Sequence, residues 1–210
     1  MEDFNSFIAK LEKQLQKPLP GKKAHLKMAS KVRLNELKGE YDISSAKQSS
    51  VLILLYPFNN SIFTVLMKRA TYNGVHSSQI SFPGGQKDKS DNSFIETALR
   101  EANEEVGIIP ENVKIIGKLS EMYIPPSNFL VHPFIGFSNK KPHLIPDAIE
   151  VAQIIEADLE TIFHLSDFRE TELEVRGKKI KTPYYSINGH VVWGATAMML
   201  SELKEIAGEI

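Results

Sequence analysis

The chain has 210 residues, enough for one domain with a sizeable core and a short extension. Its 25 Lys and Arg against 26 Asp and Glu leave a net charge of -1, which offers no global field for gathering nucleic acid or an anionic membrane, so an anionic substrate must be held by local devices. There is no cysteine, which excludes disulfides, thiolate zinc sites and a cysteine nucleophile.

Phe4, Phe7, Ile8, Leu11 and Leu15 recur at helical spacing, so the first segment reads as an amphipathic helix ending at "KPLPG". A signal peptide would be uniformly apolar there, and no apolar run approaches the roughly 20 residues that span a bilayer, so a cytoplasmic protein without a membrane partner is expected. Residues 22–48 are basic, then Ser-rich, without a clear period, and read as an arm. The expected division is an N-terminal helix and arm over residues 1–47 and the main domain over 48–210.

From Ser49, "SSVLILLYP", the turn "NNS" and "IFTVLMKR" predict a β-hairpin, and "QISF" a short strand running into Pro83, Gly84 and Gly85. Ser93 with Glu96 makes a capping box and Gly107 suits a C-terminal turn, which predicts a helix over Phe94–Val106. Ile95, Ala98, Leu99, Ala102 and Val106 fall on one side of it. Glu101, Glu104 and Glu105 share another arc, facing away from the buried side, with Arg100 in i,i+4 reach of Glu96 and Glu104. Clustered carboxylates repel one another unless a cation joins them, and an oxygen-only set suits Mg²⁺ or Mn²⁺.

"VKIIGKL", "FLVHPFIGF" and "EVAQIIEA" predict further strands, Asp158 caps a short helix "LETIFH", a hairpin turns at Gly177, and "WGATAMMLSELKEIAG" is a closing helix. Trp193, the sole tryptophan, reads as core packing more than ligand stacking. Strands with helices between and after them predict an α/β or α+β sandwich. No phosphate loop of the G-x-x-x-x-G-K-[ST] kind, no H-E-x-x-H and no G-x-S-x-G turn is present, and scattered basic residues give no support for nucleic-acid binding.

The stretch Gly85 to Ile108 resembles the Nudix box, G-x5-E-x7-R-E-U-x-E-E-x-G-U, through Gly85, Arg100, Glu101, Ala102, Glu104, Glu105, Gly107 and Ile108. Asp91 stands where the first Glu of that box falls, and eight residues instead of seven separate it from Arg100. Both departures are similar to the coenzyme A diphosphatase branch. The upstream "LMKRATYNGVHSSQISFPGG" resembles that branch's own signature through Arg69, His76, Gln79, Ser81, Phe82, Pro83, Gly84 and Gly85, with Ser78 departing. Gln153 stands where similar proteins carry an acid. "PPSNFLVHPFIG" and "VWGATAMMLSEL" extend the likeness over nearly the whole chain.

The resemblance implies a Nudix-type α/β/α sandwich with a mixed β-sheet, the N-terminal helix being an extension. It also implies metal-dependent hydrolysis of the pyrophosphate of coenzyme A or its derivatives to 3',5'-ADP and 4'-phosphopantetheine. Glu101 and Glu105 are then the leading ligands for Mg²⁺ or Mn²⁺, Glu104 a further ligand or general base, Glu150 a reserve, and Gly85 a close backbone approach. Arg100 orders the acids. Arg69, His76, Gln79, Asn128 and Phe129 are substrate-binding candidates, although His76 taken singly reads as structural, Phe129 as packing, and Lys68 and Arg69 as a solvated strand end or a 3'-phosphate contact. A Nudix hydrolase for ADP-ribose, NADH or another nucleoside diphosphate, and a non-catalytic coenzyme A-binding relative, are the alternatives. A homodimer is left open.

Overall fold

The computed structural model describes residues 3–36, 41–71, 78–165, 169–175 and 177–210. The amphipathic start forms α1 (Phe4–Gln14), with Ile8 and Leu11 buried. Where the sequence gives an arm without a period, the chain forms α2 (Lys22–Leu26), α3 (Lys31–Glu36) and a 3₁₀ turn at Ile43–Ser45. Helices this short hold too few positions to display a period, and docking against the core stabilises them; Ala24, Met28 and Ala29 are buried.

The hairpin follows as β1 (Lys47–Phe58) and β2 (Ser61–Arg69). Asn59 and Asn60 turn it with φ of 49° and 58°, the left-handed pair that a two-residue hairpin favours. Next come β3 (Ile80–Ser81), β4 (Gly84–Gln86), α4 (Phe94–Val106), β5 (Lys114–Lys118), β6 (Met122–Ile124), β7 (Phe129–Phe137), β8 (Val151–Asp158) and α5 (Leu159–His164). β9 (Glu170–Val175), β10 (Lys178–Ile187), β11 (His190–Trp193) and α6 (Gly194–Ala207) complete the described chain.

Among the described residues, β1 to β8 make one eight-stranded sheet and β9 to β11 a three-stranded one. β1 runs parallel to β7 from Lys47↔Phe129 to Leu55↔Phe137, whereas its other edge is shared by β4 near Ser49–Val51 and β2 near Leu55–Phe58, both antiparallel. The sheet is therefore mixed. Buried on both faces, β1 reads as an unbroken apolar run. Leu52, Leu54 and Tyr56 pack towards Ala98, Ala102 and Val106 of α4. Ile53 and Leu55 pack in the opposite cluster with Leu11 of α1 and Ala197, Leu200 and Leu203 of α6. Each fully buried aliphatic side chain contributes about 1.5–3 kcal/mol, so the two faces of one strand bind the helical layers into an α/β/α sandwich.

Candidate active site

The acidic helix begins as its capping residues dictate. Ser93 Oγ accepts the Glu96 N–H at 3.1 Å, while the Glu96 carboxylate turns back to the Asn92 N–H at 2.7 Å, and Gly107 closes α4 at φ 73°. The two glycines of β4 serve different approaches. A Cβ on Gly84 would lie 2.2 Å from the Ser50 carbonyl oxygen, so only glycine lets this backbone lie against β1. A Cβ on Gly85 would lie 2.4 Å from Oε2 of Glu101, so that the missing side chain leaves room for a carboxylate.

The expectation that all three acids face away from buried structure is corrected by Glu105, which is 2% exposed. Helical periodicity locates it off the apolar stripe, yet β4, Arg69 and the backbone at Asp147 cover the C-terminal end of α4. Glu105 accepts the Gly84 N–H at 2.7 Å and Arg69 Nη1 at 3.1 Å, and its own carbonyl accepts the Asp147 N–H at 2.8 Å. Burial pushes its carboxyl up to about 7 against the pull of Arg69 and the Gly84 N–H, and the charges of Glu101 and Glu150 add to the rise. Burial likewise raises Glu101, which lies 3.0 Å from Arg100 Nη2. Glu104 is apart from this pair, exposed and held by Arg100 Nη1 at 2.8 Å. Glu150 meets Arg69 Nη2 at 3.7 Å.

Arg100 finds Glu104 as the i,i+4 spacing predicts, but not Glu96. Its principal partner is Asp91, nine residues earlier in the loop. Asp91 is buried and accepts Arg100 Nε at 2.9 Å and Nη2 at 3.0 Å, Thr97 Oγ1 at 3.0 Å and the Asp88 N–H at 2.9 Å. The Arg100 hydrogen bonds outweigh burial and, with Asp88 and Thr97, hold its carboxyl well below the usual range. The loop acid that departs from the box thus fastens the arginine of the acidic helix to the loop before it. Its place ahead of Arg100 was the available signal; the clamp itself needed the fold.

A cleft of about 620 Å³ opens beside β4. Arg69, Gln79, Gly84, Gly85 and Phe129 line it, facing Val32 and Arg33 of α3, Val175 and Ile180 of the second sheet, and the start of α6. Trp193 lines it too, half-buried, so it belongs to the cleft wall where packing in the core was expected. Asn128 orders the loop: it takes φ 55°, accepts the Tyr123 hydroxyl at 2.9 Å and donates to the Ser45 carbonyl at 3.3 Å. Lys68 pairs in register with Gln153 on β8, and neither lines the cleft. His76 lies outside the described residues.

Residues 46–180 match the NUDIX domain. The chain belongs to the Nudix hydrolase family. It is 34% identical over 167 residues to an uncharacterized Nudix hydrolase NudL of Pectobacterium atrosepticum, covering 77% of this chain and 83% of the relative. It is 35% identical over 178 residues to a NudL of an Enterobacter species, covering 83% and 90%. Nudix hydrolase 15, mitochondrial, of Arabidopsis thaliana is 29% identical over 194 residues, covering 87% and 68%. Among solved structures, that of a Nudix hydrolase from M. smegmatis, RenU, superposes with a TM-score of 0.55 at 16% identity, covering 79% of this chain and 88% of that one, which shows the shared fold. Among the described residues no helix is long and apolar enough to cross a membrane.

Nudix hydrolases generally use divalent metal ions, and the donor set here fits one. Glu101 and Glu105 are oxygen donors whose carboxyls are raised by burial and by neighbouring carboxylates, Glu104 and Glu150 for the first and Glu101 and Glu150 for the second, a cost that a cation reverses. Both oxygens of Glu105 accept a hydrogen bond, but an ionised carboxylate has about four lone-pair sites, so acceptor capacity remains. Among the described residues no group of three His, Asp or Glu side chains forms a ready cage.

Proposed function

We propose that this Nudix hydrolase cleaves the internal pyrophosphate of coenzyme A or its derivatives, giving 3',5'-ADP and 4'-phosphopantetheine or its acylated form. The observation that carries the reading is the placement of the upstream stretch. Arg69, Gln79, Ser81, Phe82, Gly84 and Gly85, which bear the resemblance to coenzyme A diphosphatases, line one cleft, and Arg69 and Gly84 bond directly to Glu105 on the acidic helix.

In this reading Glu101 and Glu105 hold Mg²⁺ or Mn²⁺ with a backbone oxygen at Gly85, and exposed Glu104 joins through water or acts as the general base. The bound cation supplies neutralisation of diphosphate charge and a more acidic water. Arg100, fixed by Asp91, positions Glu101 and Glu104. Arg69 sets the orientation of Glu105 and, with Gln79 and Phe129, forms the wall that the diphosphate ester enters; Asn128 shapes the turn that presents Phe129. His76 is assigned to substrate on the resemblance.

The test is a hydrolysis panel with Mg²⁺ or Mn²⁺ and coenzyme A, acyl-coenzyme A thioesters, ADP-ribose and NADH, with products identified by mass. Release of 3',5'-ADP from the coenzyme A substrates supports the reading. Efficient cleavage of ADP-ribose or NADH without turnover of any coenzyme A substrate rejects it.

A further inference from the structure

Ser50 on β1 and Thr64 on β2 are both 0% exposed, and neither hydroxyl has a hydrogen-bond partner among the described residues. A buried hydroxyl left unbonded costs stability, so its presence calls for a reason. The two have different neighbours. Thr64 pairs with Leu55 and Ala157, which both belong to the apolar cluster under α6, so nothing polar faces it across the strands. For Ser50, the register of β1 with β7 runs unbroken from Lys47 to Leu55, so its side chain points to the same face as Leu52 and Leu54, the face covered by α4. Its antiparallel partner is Gly85. Residues paired in this way project to one face with their Cβ positions about 5 Å apart. The place where a Cβ of Gly85 would stand is 2.4 Å from Oε2 of Glu101, so the glycine opens that face to the carboxylate and the Ser50 hydroxyl lies alongside it. On its other side Ser50 pairs with His132, whose ring stacks on Phe94 at 3.8 Å between centroids. His132 Nε2 lies 2.8 Å from Gln48 Oε1 and Nδ1 lies 3.3 Å from Glu121 Oε1, so both ring nitrogens are engaged. Of these two neighbours, Glu101 is the acceptor with capacity to spare.

We propose that Ser50 is a positioning residue of the metal site, its hydroxyl donating to the Glu101 carboxylate when that carboxylate holds its cation. The inference rests on Glu101 being a metal ligand, as in the reading above, and is independent of which diphosphate is cleaved. A carboxylate that binds a cation keeps further lone pairs, and a fixed donor on one of them orients it. The cost of the unmet hydroxyl thus falls on the metal-free protein and is relieved on binding.

The experiment measures Mn²⁺ binding to the full-length protein by loss of the free-ion electron paramagnetic resonance signal, with no substrate present, alongside Tm without metal. Ser50→Ala removes an unmet donor, so it raises the metal-free Tm by about 2–4 °C and yet weakens Mn²⁺ affinity about tenfold. Thr64→Val removes the other unbonded hydroxyl at nearly the same volume; it raises Tm in the same way and leaves Mn²⁺ affinity unchanged. Glu101→Gln weakens Mn²⁺ affinity more than Ser50→Ala does, and adding Ser50→Ala to it brings no further loss, because the two residues act through one bond. Mn²⁺ affinity unchanged in Ser50→Ala but weakened in Glu101→Gln overturns the role of Ser50 and leaves the metal site and the proposed function standing. A lowered metal-free Tm in Ser50→Ala, an equal loss of affinity in Thr64→Val, or a full tenfold loss on top of Glu101→Gln overturns it likewise. Mn²⁺ affinity unchanged in Glu101→Gln overturns both the role of Ser50 and the assignment of Glu101 as a ligand.

Discussion

Glu105 and Glu202 are both buried glutamates on helices, 2% and 0% exposed, yet their surroundings act in opposite directions. Glu202 of α6 accepts the Gly21 N–H at 3.0 Å, His25 Nε2 lies 2.8 Å away, and the Ser120 hydroxyl donates at 2.6 Å. Burial pushes its carboxyl up, but the His25 and Ser120 hydrogen bonds together with the charge of His25 outweigh it and hold it below the usual value. Glu105 has an arginine and one backbone N–H against two neighbouring carboxylates, and remains raised to about 7. A buried charge whose partners complete it is a fastening. One left at a deficit beside a cleft is, on the proposed reading, where a further cation binds.

The sharpest break between the two is Glu105→Gln. It should lower kcat/KM about 1,000-fold, equivalent to ~4 kcal/mol, while the fold persists, and it should abolish any rise in Tm on adding Mg²⁺. Activity within tenfold of the original would place Glu105 with the structural glutamates. Glu202→Gln should do the reverse, costing about 3 kcal/mol in urea unfolding with cleavage per folded molecule little altered. Because its folded pKa is depressed, the stability contributed by Glu202 is complete above the unfolded value of 4.5 and disappears as pH falls through the folded pKa. The stability gap between the two proteins should therefore narrow as pH falls below about 4.5; a gap that widens there contradicts the assignment.

Gly85→Ala is smaller. The new Cβ would press on the end of a flexible carboxylate, so the fold should survive, but with Glu101 displaced the Mg²⁺ concentration for half-maximal rate should rise about thirtyfold, or ~2 kcal/mol. Ser93→Ala refines the comparison as a control on the same helix. Loss of the cap should remove about 1 kcal/mol of stability and leave the metal dependence of the rate unchanged.

The boundaries of α4 were legible in full, since Ser93, Glu96 and Gly107 carry local start and stop chemistry and the structure spans Phe94–Val106. The strands β1, β2, β7 and β8 were legible from their apolar runs. β4, β6 and β11 were not: three or four residues, two of them glycine in β4, leave no periodicity to read. Burial of Glu105 was also hidden, because a helical wheel knows only the helix and not the glycine strand laid over its end. Glu202 had a signal that went unused. α6 is apolar through most of its length, and Glu202 falls within its buried stretch between Ser201 and Leu203, which demands donors from elsewhere in the chain. Those donors, at Gly21, His25 and Ser120, are distant in sequence, as is Arg33 from the cleft it lines.

The stitching of Glu202 to residues from the beginning and the middle of the chain means that the segment shared with the family is not self-sufficient here. A shortened protein limited to residues 46–180 would end inside β10 and shed α1, α2 and α6 together, baring the sheet face that carries Ile53, Leu55 and Leu66 to water. Such a fragment would clump before it could be assayed, so trimming from either terminus erodes solubility well before it reaches the chemistry.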